Sequence, residues 1–268
     1  MKTLLKYIIY TNLVVALSAG ILSAGFCFMQ EIESWELYGL FSLFSTLAVY
    51  NGQRLFKTND NKETDWLIWV KNHKKILIAI VFFSSLISVV LFFFIDNHTT
   101  VIYFLFVIVC CISILYVVRI NGRNMRELPY IKIHLIALTW VMVLFLFPMV
   151  NEEINDSKIG YSSAFYLYVL AVTIPFDIRD LKYDQVSQRT IPQLLGVFRS
   201  KILAVILLLI STVIFIMLAP TLRVNPLFIL SMITQLVLIL KMHKNRDDFY
   251  CAGLIDGAIA VLGLSFFF

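Results

Sequence analysis

Charge is scarce in this chain: Asp, Glu, Lys and Arg together make up 15% of its 268 residues, where a soluble domain carries about 25%. With 60% hydrophobic residues and a mean hydropathy of +0.87, that shortage excludes an ordinary soluble protein and leaves an integral membrane protein. Glycine is scarce too, 10 in all, and no Gly-rich nucleotide loop is present, which excludes that mode of phosphate binding. The cysteines Cys27, Cys110, Cys111 and Cys251 fall in or beside apolar runs without CxxC spacing. A disulfide framework or zinc site is thereby excluded, and they read as small packing residues. His73, His98, His134 and His243 are scattered without HxxxH or HExxH spacing, so polar or packing roles are expected of them. The loops between apolar runs are too short to fold separately, and residues 1–268 are expected to form a single membrane domain.

What the chain does have is a series of apolar runs. The first reaches from the amino terminus to about Met29; it is too long for the apolar region of a cleaved signal peptide and reads as a span. Others follow at about 37–50, 76–95, 101–118, 133–150, 160–177, 202–219, 226–240 and 249–268. Nine transmembrane helices are expected, the second and eighth of them short. The net charge of +5 would suit nucleic acid, but its placement has a better explanation in topology. All Lys and Arg except Lys158 and Arg223 fall in the amino-terminal segment or in the loops after spans two, four, six and eight. The positive-inside rule therefore puts the amino terminus and those four loops in the cytoplasm. Glu31, Glu33, Glu36, Asp96, Glu152, Glu153 and Asp156 lie in the opposite loops.

Two cytoplasmic loops carry residues suited to chemistry. The loop after span six opens with Asp177, Asp180 and Asp184; if the helix continues, spacing i, i+3, i+7 stacks them on one face with neighbours about 5–6 Å apart. Carboxylates that close need a cation or basic partners. Oxygen-only ligation suits Mg2+ bridged to a substrate phosphate, while a solvated charged collar at the helix end is the plainer reading. The loop after span two holds Asn51, Gln53, Arg54, Lys57 and Asn59. Four spans separate the two loops, so they emerge on one side, as in a duplicated bundle, although no residue-level repeat accompanies that layout.

Asp177-Ile178-Arg179-Asp180-Leu181-Lys182-Tyr183-Asp184, followed by Thr190-Ile191-Pro192 and Gly196, resembles the second aspartate-rich motif of the UbiA superfamily of intramembrane prenyltransferases. The resemblance implies an all-α bundle of nine transmembrane helices enclosing a central cavity. It also implies Mg-dependent transfer of a prenyl group from a polyprenyl diphosphate to a lipophilic or aromatic acceptor in the lipid bilayer. Asp177, Asp180 and Asp184 would be the catalytic, Mg2+-holding residues, with an aromatic-rich cavity shielding an allylic cation. The family's first motif, NDxxDxxxD, is degenerate. With its Asn on Asn51, the three aspartate places hold Gly52, Leu55 and Asn59. Three outcomes stay open: neutral oxygens of Asn51, Gln53 and Asn59 serve a single metal; Arg54 and Lys57 hold phosphate directly; or the chemistry is lost and the chain binds or transports an isoprenoid. Arg119 and Lys132, near span ends around the loop after span four, are the expected further phosphate contacts. Asp256, inside span nine, is expected to face the protein interior. Two other diphosphate chemistries are argued against, because Asp256-Gly257-Ala258-Ile259-Ala260-Val261 lacks the Arg of DGxxAR and Asp247-Asp248-Phe249-Tyr250-Cys251 breaks DDxxD. Transport is disfavoured by ionisable residues gathered at helix ends rather than at the midplane.

Overall fold

The computed structural model describes residues 2–56, 64–95, 99–119, 124–150, 156–184 and 186–268. Among these the regular structure is all helical, in eleven helices: α1 Lys2–Tyr10, α2 Leu13–Met29, α3 Trp35–Phe56, α4 Asp65–Asn72, α5 Lys74–Phe94, α6 Thr100–Leu115, α7 Lys132–Val141, α8 Asp156–Asp180, α9 Ile191–Leu218, α10 Pro226–Leu240 and α11 Asp256–Ser265. A π turn, Met142–Leu146, extends α7, and another, Tyr250–Ile255, leads into α11. Each of the nine apolar runs is helical. By length and apolarity alone, Lys74–Phe94, Ser157–Asp180 and Ile191–Leu218 suffice to cross a membrane, and the bent pair α1–α2 makes a fourth. The chain is an integral, multi-pass membrane protein.

The first run is not one straight helix. It bends by 57° between α1 and α2, where Asn12 adopts a left-handed conformation with φ 57°. The backbone freed there is served by Asn51 on α3, whose Nδ2 donates to the Thr11 carbonyl at 2.8 Å and whose Oδ1 accepts from Asn12 Nδ2 at 3.2 Å. A short helix unanticipated from the sequence, α4, packs in the same region: His73, just beyond it, stacks on Trp69 and hydrogen-bonds the Tyr7 hydroxyl at 2.9 Å.

Exposure sorts the helices into layers. Only 17% of the apolar window of α5 and 22% of that of α9 are buried, against 61% for α8. Helices α5 and α9 therefore present Phe82, Phe83, Phe93, Phe198 and Ile206 outward to lipid, while α8 runs through the core with Phe165 and Tyr168 fully buried. Of these three long helices, the one that carries the aspartates is thus the most buried. Small residues close the remaining crossings, as expected where lipid supplies no hydrophobic drive between helices. A Cβ on Gly263 of α11 would lie 2.6 Å from Leu22 Cα and N on α2. That neighbour is backbone and has no rotamer to change, so Gly263→Ala is expected to cost about 1–3 kcal/mol through overpacking. A thermal melt in detergent would show the loss as a lower Tm.

Candidate functional site

Helix α8 continues through Pro175 to Asp180. The α-helix stops there, short of the full i, i+7 run expected, but the Asp184 N–H still donates to the Asp180 carbonyl at 2.9 Å. This one extra turn keeps Asp184 beside the other two carboxylates. The tail of the motif fastens the arrangement: the Gln193 side chain accepts from Thr190 N–H at 2.9 Å and reaches the Asp184 carbonyl at 3.5 Å. Gly196, with φ 75°, then breaks the line of α9 in a conformation that L side chains resist.

The three carboxylates converge on Lys132, the first residue of α7. Its Nζ lies 2.8 Å from Asp177 Oδ1, 2.8 Å from Asp184 Oδ2 and 3.8 Å from Asp180 Oδ2. These groups are deeply buried, with side-chain exposures of 8% for Lys132, 2% for Asp177 and 3% for Asp184. Two guanidinium groups complete the cluster. Arg126 is 3.8 Å from Asp180 Oδ2 and 3.6 Å from Asp184 Oδ1, outside direct hydrogen-bond range. Arg179 Nε donates to Asp180 Oδ1 at 2.9 Å, while its Nη1 sits 3.2 Å from Asp248 Oδ1 at the start of the helical turn that leads into α11. Basic partners therefore balance the triplet, which is neither bare nor a solvated collar.

The cluster forms one end of a cavity of about 580 Å³. Arg54, at the end of α3, lines the same end. It donates to the Tyr10 carbonyl, lies over the Trp66 ring at 5.3 Å, and makes no ion pair among the described residues. Arg119 also lines the wall, paired with Glu127 at 3.4 Å and half exposed. Away from the charges the wall turns apolar and aromatic, with Ile136, Trp140, Val169, Val172 and Phe176; Trp140 Nε1 donates to the Tyr50 hydroxyl at 3.0 Å. Asp256 also lines the wall, 6% exposed, and its carboxylate makes no direct hydrogen bond or close ion pair among the described residues. It faces inward, as expected, in a wall it shares with Arg54 and Arg179.

The sequence-derived candidates divide accordingly. Asp177, Asp180, Asp184, Arg54, Arg119 and Lys132 meet in one cavity. Asn51 does not: it is fully buried, outside the cavity wall, and its amide is spent on the α1–α2 break and on the Leu47 carbonyl. That broken helix, unseen in the sequence, is the physical reason for the difference. Lys57 and Asn59 lie outside the described residues. Lys132 faces the carboxylates, where a phosphate contact was expected. Arg126, Arg179 and Asp248 were not selected from the sequence. Only the position of Arg179 inside the motif could have marked it, because the other two reach the site from segments far apart in the chain.

No family model matches the sequence, and no curated protein is similar to it. Its structure does have relatives. The chain matches a UbiA homolog from Archaeoglobus fulgidus bound to GPP and Mg2+ with a TM-score of 0.61 at 12% identity, over 98% of this chain and 97% of that one. It also matches a digeranylgeranylglyceryl phosphate synthase with a TM-score of 0.56 at 17% identity, over 100% and 98% of the two chains. The fold is the UbiA fold. In this UbiA-type bundle, the aspartate-bearing end of α8, the start of α7, the end of α3 and the turn that leads into α11 share one cavity.

Proposed function

We propose that this chain transfers a prenyl group from a polyprenyl diphosphate to a lipophilic or aromatic acceptor. In this reading it spans the bilayer nine times, with its amino terminus and the charged end of the cavity on the cytoplasmic side. The observation that carries the proposal is the cavity's division into two chemistries, a cluster of acids and bases at one end and an apolar, aromatic chamber beyond it. Such a shape suits a molecule with a phosphate head and an isoprenoid tail, and the UbiA homolog of like fold was solved with GPP and Mg2+.

Carboxylate oxygens are the donors that a divalent cation takes together with substrate phosphates. Three hard carboxylates converge on one point, which the Lys132 ammonium now fills. Among the described residues no group of three His, Cys, Asp or Glu side chains is placed to hold a metal unaided, so substrate phosphate oxygens would have to complete the ion's shell. Asp177, Asp180 and Asp184 would hold the ion, which when bound supplies positive charge to the departing diphosphate. The chain's own contribution is placement. Arg54, unpaired with any carboxylate among the described residues, and Arg126, loosely paired, offer donors to phosphate oxygens. Trp140, Tyr50 and Phe176 exclude water from the carbon left electron-poor and can face it with their rings. Asp256 is available to an O–H or N–H of the acceptor.

A second reading, isoprenoid binding without chemistry, is favoured by Gly52 and Leu55 standing where the first motif has aspartates. One experiment separates the two. Purified protein in liposomes is given labelled prenyl diphosphates of several lengths with a panel of lipophilic acceptors and Mg2+, alongside Ile136→Trp, which fills the chamber. Prenylated product from wild type, at least about tenfold reduced in the variant, supports transfer. Saturable donor binding without product across the panel supports the binding reading, and neither binding nor product defeats both.

A further inference from the structure

The cation-binding point of the aspartate triplet is already taken by a residue of the chain itself. Lys132 Nζ stands 2.8 Å from both Asp177 and Asp184, and a Mg2+ coordinated at about 2.0–2.1 Å from such oxygens would overlap it. At that one point the two cations exclude one another. We propose that Lys132 is a displaceable internal counter-ion, so that the triplet rejects free divalent metal and accepts it only together with a diphosphate, to which the ammonium transfers. This rests on the donor proposed above, whose diphosphate supplies the second half of the exchange.

Charge decides the order of events. The charged residues that line the cavity are six acids, Asp177, Asp180, Asp184, Asp248, Asp256 and Glu127, and five bases, Arg54, Arg119, Arg126, Lys132 and Arg179, so each cation already has carboxylates to face. A lone divalent ion would drive the ammonium off Asp177 and Asp184 and strand it at a buried point, which is costly at low dielectric. A metal–diphosphate complex adds little net charge and brings phosphate oxygens for the displaced group. Lysine suits the exchange, having a compact charge on a flexible four-carbon stem, whereas the Arg179 guanidinium is fixed between Asp180 and Asp248. Nothing covalent changes; the ammonium leaves carboxylate oxygens for phosphate oxygens.

The test is equilibrium dialysis of purified full-length protein against Mn2+ alone, GPP alone, and both, counting bound metal and labelled GPP. Wild type is expected to bind Mn2+ at least tenfold more tightly with GPP than without, while Lys132→Met binds Mn2+ alone and Lys132→Arg restores exclusion. Because Lys132→Met is expected to be less stable, its Tm is followed as well; it should rise with Mn2+ while that of wild type does not. Wild type that binds Mn2+ alone as tightly as with GPP, with that binding lost in Asp184→Asn, overturns the exchange and leaves the prenyl-donor reading standing. Mn2+ bound by Lys132→Met alone, with no GPP bound by any form, leaves Lys132 as the counter-ion and overturns the donor.

Discussion

Asp180→Asn should leave the bundle folded and lower the rate of prenyl transfer by about 10²–10³-fold, the size of effect seen when one preorganised electrostatic contact is removed from a reacting site. The carboxylate lies between three cations, 2.9 Å from Arg179, 3.8 Å from Arg126 and 3.8 Å from Lys132. Asparagine keeps the shape and can still accept from Arg179 Nε through its remaining oxygen, so the fold should tolerate it. What it loses is negative charge at the point where a metal–diphosphate must be held in register with the chamber. The side chain is 16% exposed, enough for water to relieve part of the imbalance left on the cations, which limits the stability loss. The measurement is kcat and KM in liposomes with labelled donor, beside the Tm of each protein. A variant as fast as wild type, with an unchanged Tm, would remove the triplet from the chemistry.

Much of the bundle was legible from apolar run length, because each run that lacks water contact must satisfy its backbone internally and so becomes helix. The aspartates were legible too, since i, i+3 spacing places Asp177 and Asp180 on one face whatever surrounds them. Local pattern said less about the other half of the cluster. Lys132 and Asp184 are 52 residues apart, and Arg179 meets Asp248 across α9 and α10; such pairings come from how helices cross, which no spacing rule encodes. Asn51 shows the converse. Its type and place suggested a ligand contact, yet a bend at Thr11 and Asn12, inside an apparently continuous apolar run, claims its amide. Aromatic residues also separated by type in a way composition alone concealed. Of 23 Phe in the chain, Phe56 and Phe176 line the cavity among the described residues, while Tyr50, Tyr116, Tyr183, Trp66 and Trp140 line it with rings that carry a polar tip.

Lys132→Met should cost about 3–5 kcal/mol of stability in the absence of divalent metal, because it removes one member of a buried ionic group and strands the rest. Asp177 and Asp184 each have a carboxylate oxygen 2.8 Å from the ammonium, and at side-chain exposures of 2% and 3% neither can turn to water. Methionine matches the length of the lysine stem, so the loss reflects charge rather than a cavity. A double-mutant cycle isolates it. Asp177→Asn alone leaves the ammonium with Asp184 and should cost less; added to Lys132→Met, it removes one of the stranded charges and should recover part of the loss, giving a coupling energy within the range of about 0.5–3 kcal/mol found for groups in contact. Unfolding in denaturant at fixed detergent supplies all four corners. Strict additivity would mean that Lys132 and Asp177 do not sense one another, and the convergence of the three carboxylates on that ammonium would then carry no energy for any cation to replace.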